Sequence, residues 1–341
     1  MEDNHLHGSC DQALPKRMPA DWTPQVNGYS AGFAPEITEF IVAIYGRQGA
    51  ATGRGFGEMA APAFSDNDGP ISVQYGQFVD ERGCTNDLAI AYWVEQADFE
   101  RWQATHPWPL WCQTTPEDGV WREVLRVPVQ RGETLLSSPL IEWGLSAARS
   151  RLVGPVREHG YWGAMRDRLP VSSQDLLETT GALSSASTDV NGCIRRVVTP
   201  TANLCVICSG QDWNSCEPAH AEYYLRELEP KLRTAMADLA RNGEAHGSHS
   251  CRFVRMTDAS GTPLDASFGL AFFRSLSDLE RWAATDPLHL DIWRSFISHK
   301  RETQTTLRLW HEVLVLPAQG QVFEYLNCHP ATGLMSLDGN S

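Results

Sequence analysis

The sequence contains no long apolar run and few positive charges. No stretch approaches the roughly 20 consecutive apolar residues that a membrane-spanning helix needs, and residues 1–22 contain no apolar signal-peptide core. The 28 Lys and Arg residues are outnumbered by 42 Asp and Glu residues, which gives a formal net charge of −14. A net-acidic surface argues against binding to a phosphate backbone or to an acidic membrane. We therefore expect a cytoplasmic protein that binds neither nucleic acid nor a membrane.

The sequence also lacks a cysteine pattern that would indicate disulfides or zinc. Its nine cysteines are odd in number and scattered, which is typical of buried thiols in a reducing compartment. The C-x-x-C motif from Cys205 to Cys208 lies in a strand-like run, where residues three apart point to opposite faces of a sheet. Ser209 follows Cys208 where a covalent c-type haem motif requires His. We therefore expect no thioether-bound cofactor.

An internal repeat is the most informative feature that is present. The segment AYWVEQADFERWQATHPWPLW, which begins at Ala91, aligns without a gap to AFFRSLSDLERWAATDPLHLD, which begins at Ala271, at an offset of 180 residues. Further along the chain, Trp121–Leu125 matches Trp310–Leu314 at an offset of 189 residues. The chain is therefore predicted to contain the same structural unit twice.

The hydrophobic pattern of the second copy favours an α+β unit over a doubly wound parallel sheet. Its order suggests a ferredoxin-like unit. Two such units fused in one chain can face each other across their sheets and close an approximate barrel, with a ligand-sized cavity between sheet and helix. The predicted strands are Leu204–Ser209, Arg252–Met256, Leu270–Phe273 and Leu307–Leu316, and the predicted helices are Ala221–Ala240 and Leu276–Ala284.

Four segments follow from the repeat and its surroundings. Residues 1–37 are predicted to form an N-terminal arm, residues 38–134 the first ferredoxin-like unit, and residues 201–335 the second unit. Residues 135–200 contain Ser- and Thr-rich stretches and no copy of the repeat. We therefore expect an irregular connecting region there.

Two histidines distinguish the second copy from the first. His289 stands where the first copy has Pro109, and His311 stands where it has Arg122. A residue that the fold itself required would be expected in both copies. This asymmetry favours a functional role for both histidines.

His289 lies near the start of a predicted helix. Asp286 and Pro287 are typical of an N-cap and a first helical position, and His289 then shares one apolar helix face with Trp293 and Phe296. A buried imidazole must be satisfied by a hydrogen bond or by a metal, and haem iron commonly takes an axial imidazole. A core histidine and an iron ligand both stay open from the residues alone.

His311 lies in a predicted strand. In LRLWHEVLVLP it shares one strand face with Leu309, Val313 and Val315, so a titratable ring stands in an apolar row. It is either a core histidine bonded to a backbone carbonyl or an acid or base that lines a cavity. Both interpretations stay open at this point.

Six segments of the chain carry a family resemblance: MPADWTP (Met18–Pro24), YWGAMRDRLP (Tyr161–Pro170), SGQDW (Ser209–Trp213), DLERWAATDPLHL (Asp278–Leu290), LWHEVLVLP (Leu309–Pro317) and FEYLNCHPATGL (Phe323–Leu334). In this order they resemble segments of the haem-containing aldoxime dehydratases, a family that includes phenylacetaldoxime and aliphatic aldoxime dehydratases. The resemblance covers residues 15–335.

The resemblance implies a fused ferredoxin-like fold, one b-type haem, and conversion of an aldoxime, R–CH=N–OH, to a nitrile and water. We expect the iron to be ferrous in the active state, because ferrous iron pushes electron density toward the N–O bond better than ferric iron. The family's axial iron ligand falls on His289, and its distal acid and base falls on His311. Its pocket serine falls on Ser209, its arginine on Arg168 and its glutamate on Glu133.

Other residues of these motifs receive different assignments. Arg166 lies two residues from Arg168 in the same motif and is the alternative for the pocket arginine. His329 is assigned a structural role. His220 and His299 lie in polar sequence and are expected at the surface.

Two other functions stay open. One is a haem peroxidase-like enzyme of related fold, for which a distal His with an Arg is also usable. The other is a non-catalytic haem carrier or sensor. A homodimer is also an open option, and the aromatic residues Trp293, Phe296 and Trp310 fit either a pocket for arylalkyl oximes or ordinary core packing.

Overall fold

The computed structural model describes residues 14–49, 55–108, 119–190, 192–303 and 305–335. Pro109, which aligns with His289 in the repeat, lies outside these residues. Among the described helices, none has the combined length and apolar character that crossing a bilayer requires.

The two copies of the repeat fold as two units with the same order of elements. The first unit consists of β2 (Glu39–Gln48), α1 (Phe56–Phe64), β3 (Ser72–Val79), β4 (Thr85–Trp93), α2 (Gln96–Thr105) and β5 (Gly119–Pro128). The second consists of β10 (Cys205–Asp212), α4 (Pro218–Tyr223), α5 (Glu229–Arg241), α6 (Gly243–His246), β11 (Ser248–Thr257), β12 (Pro263–Phe273), α7 (Leu276–Thr285), α8 (Pro287–Thr303) and β13 (Arg308–Val315), with a π-helical turn Tyr224–Leu228 between α4 and α5.

The remaining elements join or flank these units. The strands are β1 (Ser30–Gly32), β6 (Gly132–Leu136), β7 (Arg151–Val153), β8 (Ser184–Val190), β9 (Cys193–Thr199) and β14 (Val322–Leu326). The helices are α3 (Ala164–Arg168) and three 3-10 turns, Val129–Arg131, Gly144–Ala148 and Pro170–Ser173.

Twelve of the described strands form one antiparallel sheet in the order β6-β13-β10-β12-β11-β3-β4-β2-β5-β14-β9-β8. Within each unit the fourth strand lies beside the first, then the third and the second, and the helices cross between strands as expected for a ferredoxin-like unit. Runs of Val, Ile and aromatic residues suit these strands because branched and aromatic side chains pack well on a pleated surface. The predicted α+β class is confirmed.

The inner faces of the two units share one hydrophobic core. Val42 and Ile44 of the first unit belong to the same buried cluster as Val206 and Leu270 of the second. The outer faces are covered by helices: α1 and α2 cover the first unit, and α5, α7 and α8 cover the second. Each unit therefore has its own layer between sheet and helices in which a site could lie.

A glycine and a tryptophan are paired at equivalent positions of both units. A Cβ atom on Gly46 would lie 2.2 Å from the Trp121 ring, and one on Gly210 would lie 2.0 Å from the Trp310 ring. Both positions therefore require glycine for close approach of the indole. Trp310 also stacks on Trp143, so core packing explains this aromatic residue.

Two strands pair across the predicted unit boundaries. Strand β6 pairs with β13 of the second unit, with Leu135 opposite His311 and Glu133 opposite Val313. Strand β14 pairs with β5 of the first unit. The domain boundaries at residues 37, 134 and 200 stay predictions. The pairing of β6 with β13 places Glu133 next to the strand that carries His311.

The connecting region, residues 135–200, is more regular than expected. It contains the β8–β9 hairpin, with Ser185 opposite Val198 and Thr188 opposite Arg195. The Ser- and Thr-rich composition of β8 hid this strand, because most of its residues are exposed and follow no alternation of apolar and polar residues.

Candidate functional site

A cavity lies between the sheet of the second unit and its helices. One part has a volume of about 690 Å³, and an adjoining part has about 220 Å³. Such volumes are typical of sites for small molecules and cofactors. The residues that line both parts are Ile207, Ser209, Trp282, His289, Trp293, Phe296 and Leu309.

Helix α8 places His289 in this cavity. The helix begins at Pro287, and the Asp286 carboxylate accepts hydrogen bonds from the backbone N–H groups of Leu288 and His289, each at 3.0 Å. Asp286 therefore caps the helix as predicted. Trp293 and Phe296 also line the cavity, one and two turns further along.

The ring of His289 has a defined tautomer. Its Nδ1 lies 2.7 Å from the Ala283 carbonyl oxygen, which can only accept, so Nδ1 carries the proton. The Nε2 atom therefore holds a lone pair. Burial lowers the pKa of His289, although the bond to Ala283 opposes this effect. A neutral imidazole whose second nitrogen is fixed by a backbone carbonyl is the usual form of a metal-binding histidine.

Aromatic rings hold His289 from the sides. Its ring centroid lies 4.7 Å from that of Trp282 and 6.1 Å from that of Trp162. Trp162 also contacts Trp293 at 5.9 Å. These contacts restrict the orientation of a ring that would bind iron.

His311, Arg168 and Glu133 form one polar cluster in the same cavity. The Nε2 atom of His311 lies 2.8 Å from Nη2 of Arg168 and 3.0 Å from Oε1 of Glu133. Arg168 binds Glu133 in a bidentate manner, with Nε to Oε2 at 2.7 Å and Nη2 to Oε1 at 3.0 Å. Arg168 also donates to the Glu158 carbonyl oxygen. Such fork-like pairs fix both side chains.

The charge of Glu133 is set by its two partners. Its side chain is 1 % exposed, and this burial raises the pKa of the carboxyl group. The positive charges of Arg168 and His311 outweigh burial and lower the pKa of Glu133 to about 2. Glu133 is therefore a carboxylate at neutral pH.

The cluster accommodates His311 in both charge states. The neutral ring can accept at Nε2 from Arg168, and the protonated ring can donate from Nε2 to Glu133. A group that transfers protons needs partners for both forms. The arrangement thus suits an acid that later acts as a base.

Ser209 lies beside His311. The two residues are direct cross-strand partners on β10 and β13, so their side chains point to the same face of the sheet. Both line the 690 Å³ part of the cavity. Ser209 thus places a hydroxyl close to the imidazole and on the same side as His289.

The structure separates the two candidate arginines. Arg166 binds Glu280 on α7, with Nη2 to Oε2 at 2.9 Å, and donates to Ser277. Arg168 is the arginine that contacts His311. The geometry therefore favours Arg168 over Arg166 for a role in the cavity.

The other histidines have different surroundings. His329 bonds to Asp80 at 2.9 Å, which suits the structural role assigned to it. The expectation that His299 lies at the surface is wrong, because this residue is 4 % exposed and stacks on Tyr223 with ring centroids 4.0 Å apart. The polar sequence around His299 concealed its inward position. His220 is partly buried and meets His299 edge to face at 5.7 Å.

Sequence reasoning missed several residues that shape the cavity. His159 is 4 % exposed and lines the cavity, and burial lowers its pKa. It lies two residues before the start of the YWGAMRDRLP motif at Tyr161, and that position was the available signal. The hydrogen bond from His289 to the Ala283 carbonyl group could not be predicted, because every residue type has a backbone carbonyl.

Comparisons with known proteins identify the family of this chain. The family model of the haem-containing dehydratases matches residues 56–334. An aliphatic aldoxime dehydratase of Pseudomonas sp is 34% identical over 98% of this chain and 96% of its own length. A phenylacetaldoxime dehydratase of Bacillus sp. (strain OxB-1) is 31% identical over 94% of each chain.

A crystal structure of an aldoxime dehydratase in complex with butyraldoxime superposes with a TM-score of 0.86. It is 31% identical to this chain and covers 96% of it and 93% of its own length. Fold and site therefore define a haem-dependent lyase. The chain belongs to the haem-containing dehydratase family.

The residues present fit a haem cofactor. The cavity is mainly apolar, and it contains a neutral imidazole whose Nε2 lone pair is available. His311 is engaged by Arg168 and Glu133, so His289 is the better placed of the two histidines to bind iron. A single axial histidine in an apolar pocket is a common arrangement for b-type haem.

Proposed function

We propose that this chain converts aldoximes, R–CH=N–OH, to nitriles, R–C≡N, and water. The cluster of His311, Arg168 and Glu133, which faces the cavity that His289 also lines, carries the proposal. The similarity to aldoxime dehydratases over nearly the whole chain supports it.

The reaction breaks one N–O bond and one C–H bond and needs no net electron transfer. Hydroxide is a poor leaving group, so a proton must reach the oxime oxygen as the N–O bond breaks. Protonated His311 supplies that proton, and water leaves. The neutral imidazole then accepts the proton from the oxime carbon. His311 thereby returns to its starting state.

Glu133 and Arg168 are positioning residues for His311. The Glu133 carboxylate stabilises the imidazolium form, because it lies 3.0 Å from Nε2. Arg168 holds Glu133 through two hydrogen bonds and provides a donor for the neutral ring. Loss of such a supporting residue typically reduces activity by about 10- to 100-fold.

Ser209 and His289 orient the substrate. The Ser209 hydroxyl, next to His311 on the neighbouring strand, donates a hydrogen bond to the oxime oxygen. His289 holds the cofactor through Nε2. The ferrous haem, when bound, supplies a coordination position for the oxime nitrogen and electron density toward the N–O bond.

Location and assembly remain part of the proposal. The seven described cysteines that have no disulfide, including Cys205 and Cys208, support a reducing compartment such as the cytoplasm. Assembly as a homodimer stays a prediction.

Turnover by reduced and oxidised protein tests the function. We expect the dithionite-reduced protein, handled without oxygen, to convert an aldoxime to a nitrile, and the ferric protein to be much slower. Robust turnover of hydrogen peroxide by ferric protein, with no nitrile from reduced protein, would instead support the peroxidase-like alternative. Haem binding without either reaction would support a carrier.

His311→Ala tests the proposed acid. We expect the variant to retain haem and to lose about 10²- to 10⁴-fold in nitrile formation, the usual worth of a positioned acid or base. His106→Ala is a matched control, because His106 pairs with Asp66 in the first unit, away from the cavity. Near-normal turnover by haem-loaded His311→Ala would show that another group is the acid.

A further inference from the structure

The opening of the cavity along helix α8 is basic. Arg294 lines the 690 Å³ cavity itself. Lys300 and Arg301 line a pocket of about 320 Å³ that adjoins the cavity at Val26 and Ile297. Among the described residues, no carboxylate lines this smaller pocket. The opening therefore carries positive charge on a chain whose net charge is −14.

Charges deeper in the cavity are already matched. Arg168 is neutralised by Glu133 at 2.7 Å. Glu280 also lines the cavity, and it binds Arg166 and Arg17, each at 2.9 Å. Among the described residues that line the inner cavity, these pairs leave no arginine or lysine free for an anionic ligand.

The cations at the opening differ in this respect. Arg294 and Lys300 form no ion pair with any described residue, and Arg294 is exposed. Arg301 donates a hydrogen bond to Gln25, so it already has a neutral partner. Two cations on one helix are thus available to a ligand that enters the cavity.

We infer that Arg294 and Lys300 bind the two propionate carboxylates of haem. This inference rests on haem as the cofactor of the proposed function. The iron ligand His289 lies on the same helix, five residues before Arg294 and eleven before Lys300. One rigid element would then hold the centre and the acidic edge of the cofactor. The apolar lining receives the rest of the ring, and the carboxylates stay near solvent.

The test compares haem with haem dimethyl ester, which lacks both negative charges. Holo-protein is prepared with each cofactor and mixed with an excess of a haem-scavenging apoprotein. The change in the Soret band then measures how fast the cofactor is released. We expect Arg294→Gln and Lys300→Gln each to release haem about two- to tenfold faster, as befits exposed or half-exposed ion pairs. Release of the dimethyl ester should be unchanged in both variants, and high salt should reduce the difference for haem.

Two controls make the result specific. Arg294→Lys keeps the charge and should release haem more slowly than Arg294→Gln. Arg226→Gln removes an exposed arginine elsewhere in the second unit and should match the wild type. Equal acceleration for haem and for its ester, or no acceleration for either, would overturn the inference. Normal haem retention by the wild type and faster release from both Gln variants, without nitrile formation by the wild type, would count against the proposed function alone.

Discussion

The layers between sheet and helices differ sharply between the two units. In the first unit the layer is filled by large aromatic side chains, and in the second it encloses the cavity. The same scaffold thus supports a solid core or a ligand site, depending on a few side chains. The buried aromatic residues in this layer of the first unit are Tyr45, Phe56, Phe64, Trp93, Phe99 and Trp102.

Strand register identifies which residues changed. Tyr45 pairs with Ala89 in the first unit, and Ser209 pairs with Gly269 in the second. Because Ala89 and Gly269 are related by the repeat offset of 180, Tyr45 and Ser209 occupy equivalent positions. Both differences reduce side-chain volume in the second unit. The cavity lies where the phenol ring of Tyr45 would be in the other unit.

The opposite neighbours of these residues changed as well. Tyr45 lies opposite Arg122, and Ser209 lies opposite His311. One pair of positions therefore fills space in the first unit and provides hydroxyl and imidazole groups in the second. The second unit therefore has a smaller side chain at the position where it also provides groups for catalysis.

The largest expected effect comes from Ser209→Tyr, which places the first unit's residue in the second. The phenol ring should occupy the cavity, so we expect the variant to lose measurable haem binding while it remains folded. Titration of apoprotein with haem, followed at the Soret band, measures this. Ser209→Ala should bind haem normally, because it adds no volume. A full Soret band in Ser209→Tyr would show that Ser209 does not border the cofactor.

The reverse change, Tyr45→Ala, should open a void in the first unit. Truncation of a buried aromatic side chain costs about 3–5 kcal/mol, so the urea midpoint should fall strongly. No haem should bind there, since the first unit has Pro109 in the sequence where the second has the proposed iron ligand His289. Tyr45→Phe keeps the ring and should cost about 1 kcal/mol or less. If Tyr45→Ala were as stable as the wild type, the first layer would not depend on this ring.

The repeat, the order of elements and the two histidines could be predicted from the sequence, because the segments near Trp102 and Trp282 still contain identical residues. Sequence reasoning did not find the equivalence of Tyr45 and Ser209. Strands β2 and β10 have diverged so far that only their hydrogen-bond register relates them. Nor could it place β6 beside β13, because pairing of short strands distant in sequence leaves no local period. Residue types indicate which side chains could interact, but the strand pairing that brings them together is visible only in the fold.

The inner faces contain a second contrast, between two buried glutamates. Glu123 binds Arg252 at 2.8 Å and accepts from the Tyr325 hydroxyl at 2.9 Å. Glu312, its counterpart in the repeat, accepts from the Tyr92 hydroxyl at 2.7 Å and from a backbone N–H. Burial raises the pKa of Glu312 to about 7. Glu123 is buried in an ion pair, whereas Glu312 is buried as an acid that is protonated below neutral pH.

Glu312→Gln should therefore change stability in a pH-dependent way. The folded-state pKa is about 7 and the ordinary value is 4.5, so the folded wild type holds a proton that the unfolded chain has released. Wild-type stability should decrease as pH rises from 4.5 through 7. At pH 8 the variant should be more stable by roughly 1–3 kcal/mol, and at pH 4.5 the two should be similar.

Urea unfolding at both pH values measures this difference. Glu123→Gln is the matched control. It should destabilise the protein at both pH values, because it leaves Arg252 buried without its anion. A stability difference for Glu312→Gln that does not change with pH would mean that Glu312 keeps an ordinary pKa.

The smallest expected effect concerns helix capping. Ser275 caps α7, since its hydroxyl accepts from the Asp278 backbone N–H at 3.0 Å, whereas Glu95 at the same position of α2 makes no side-chain cap. Glu95→Ser should stabilise the protein by about 0.5–1 kcal/mol, and Ser275→Ala should destabilise it by about 1 kcal/mol. Thermal unfolding of both variants measures the pair. If the unfolding temperatures of both variants shifted in the same direction, residues 95 and 275 would not have equivalent capping roles.

The junction between the two units has a consequence for how one chain comes to carry one site. Strand β11 pairs with β3, and Arg255 lies opposite Gln77. Gln77 pairs with Asp87 and Arg255 with Ser267, and 267 minus 87 is the repeat offset, so Arg255 lies opposite its own counterpart. An antiparallel strand paired with its own copy is the contact at the twofold axis of a homodimer. A symmetric dimer must have two such sites or none. Fusion into one chain frees one half to provide rigidity while the other binds the cofactor.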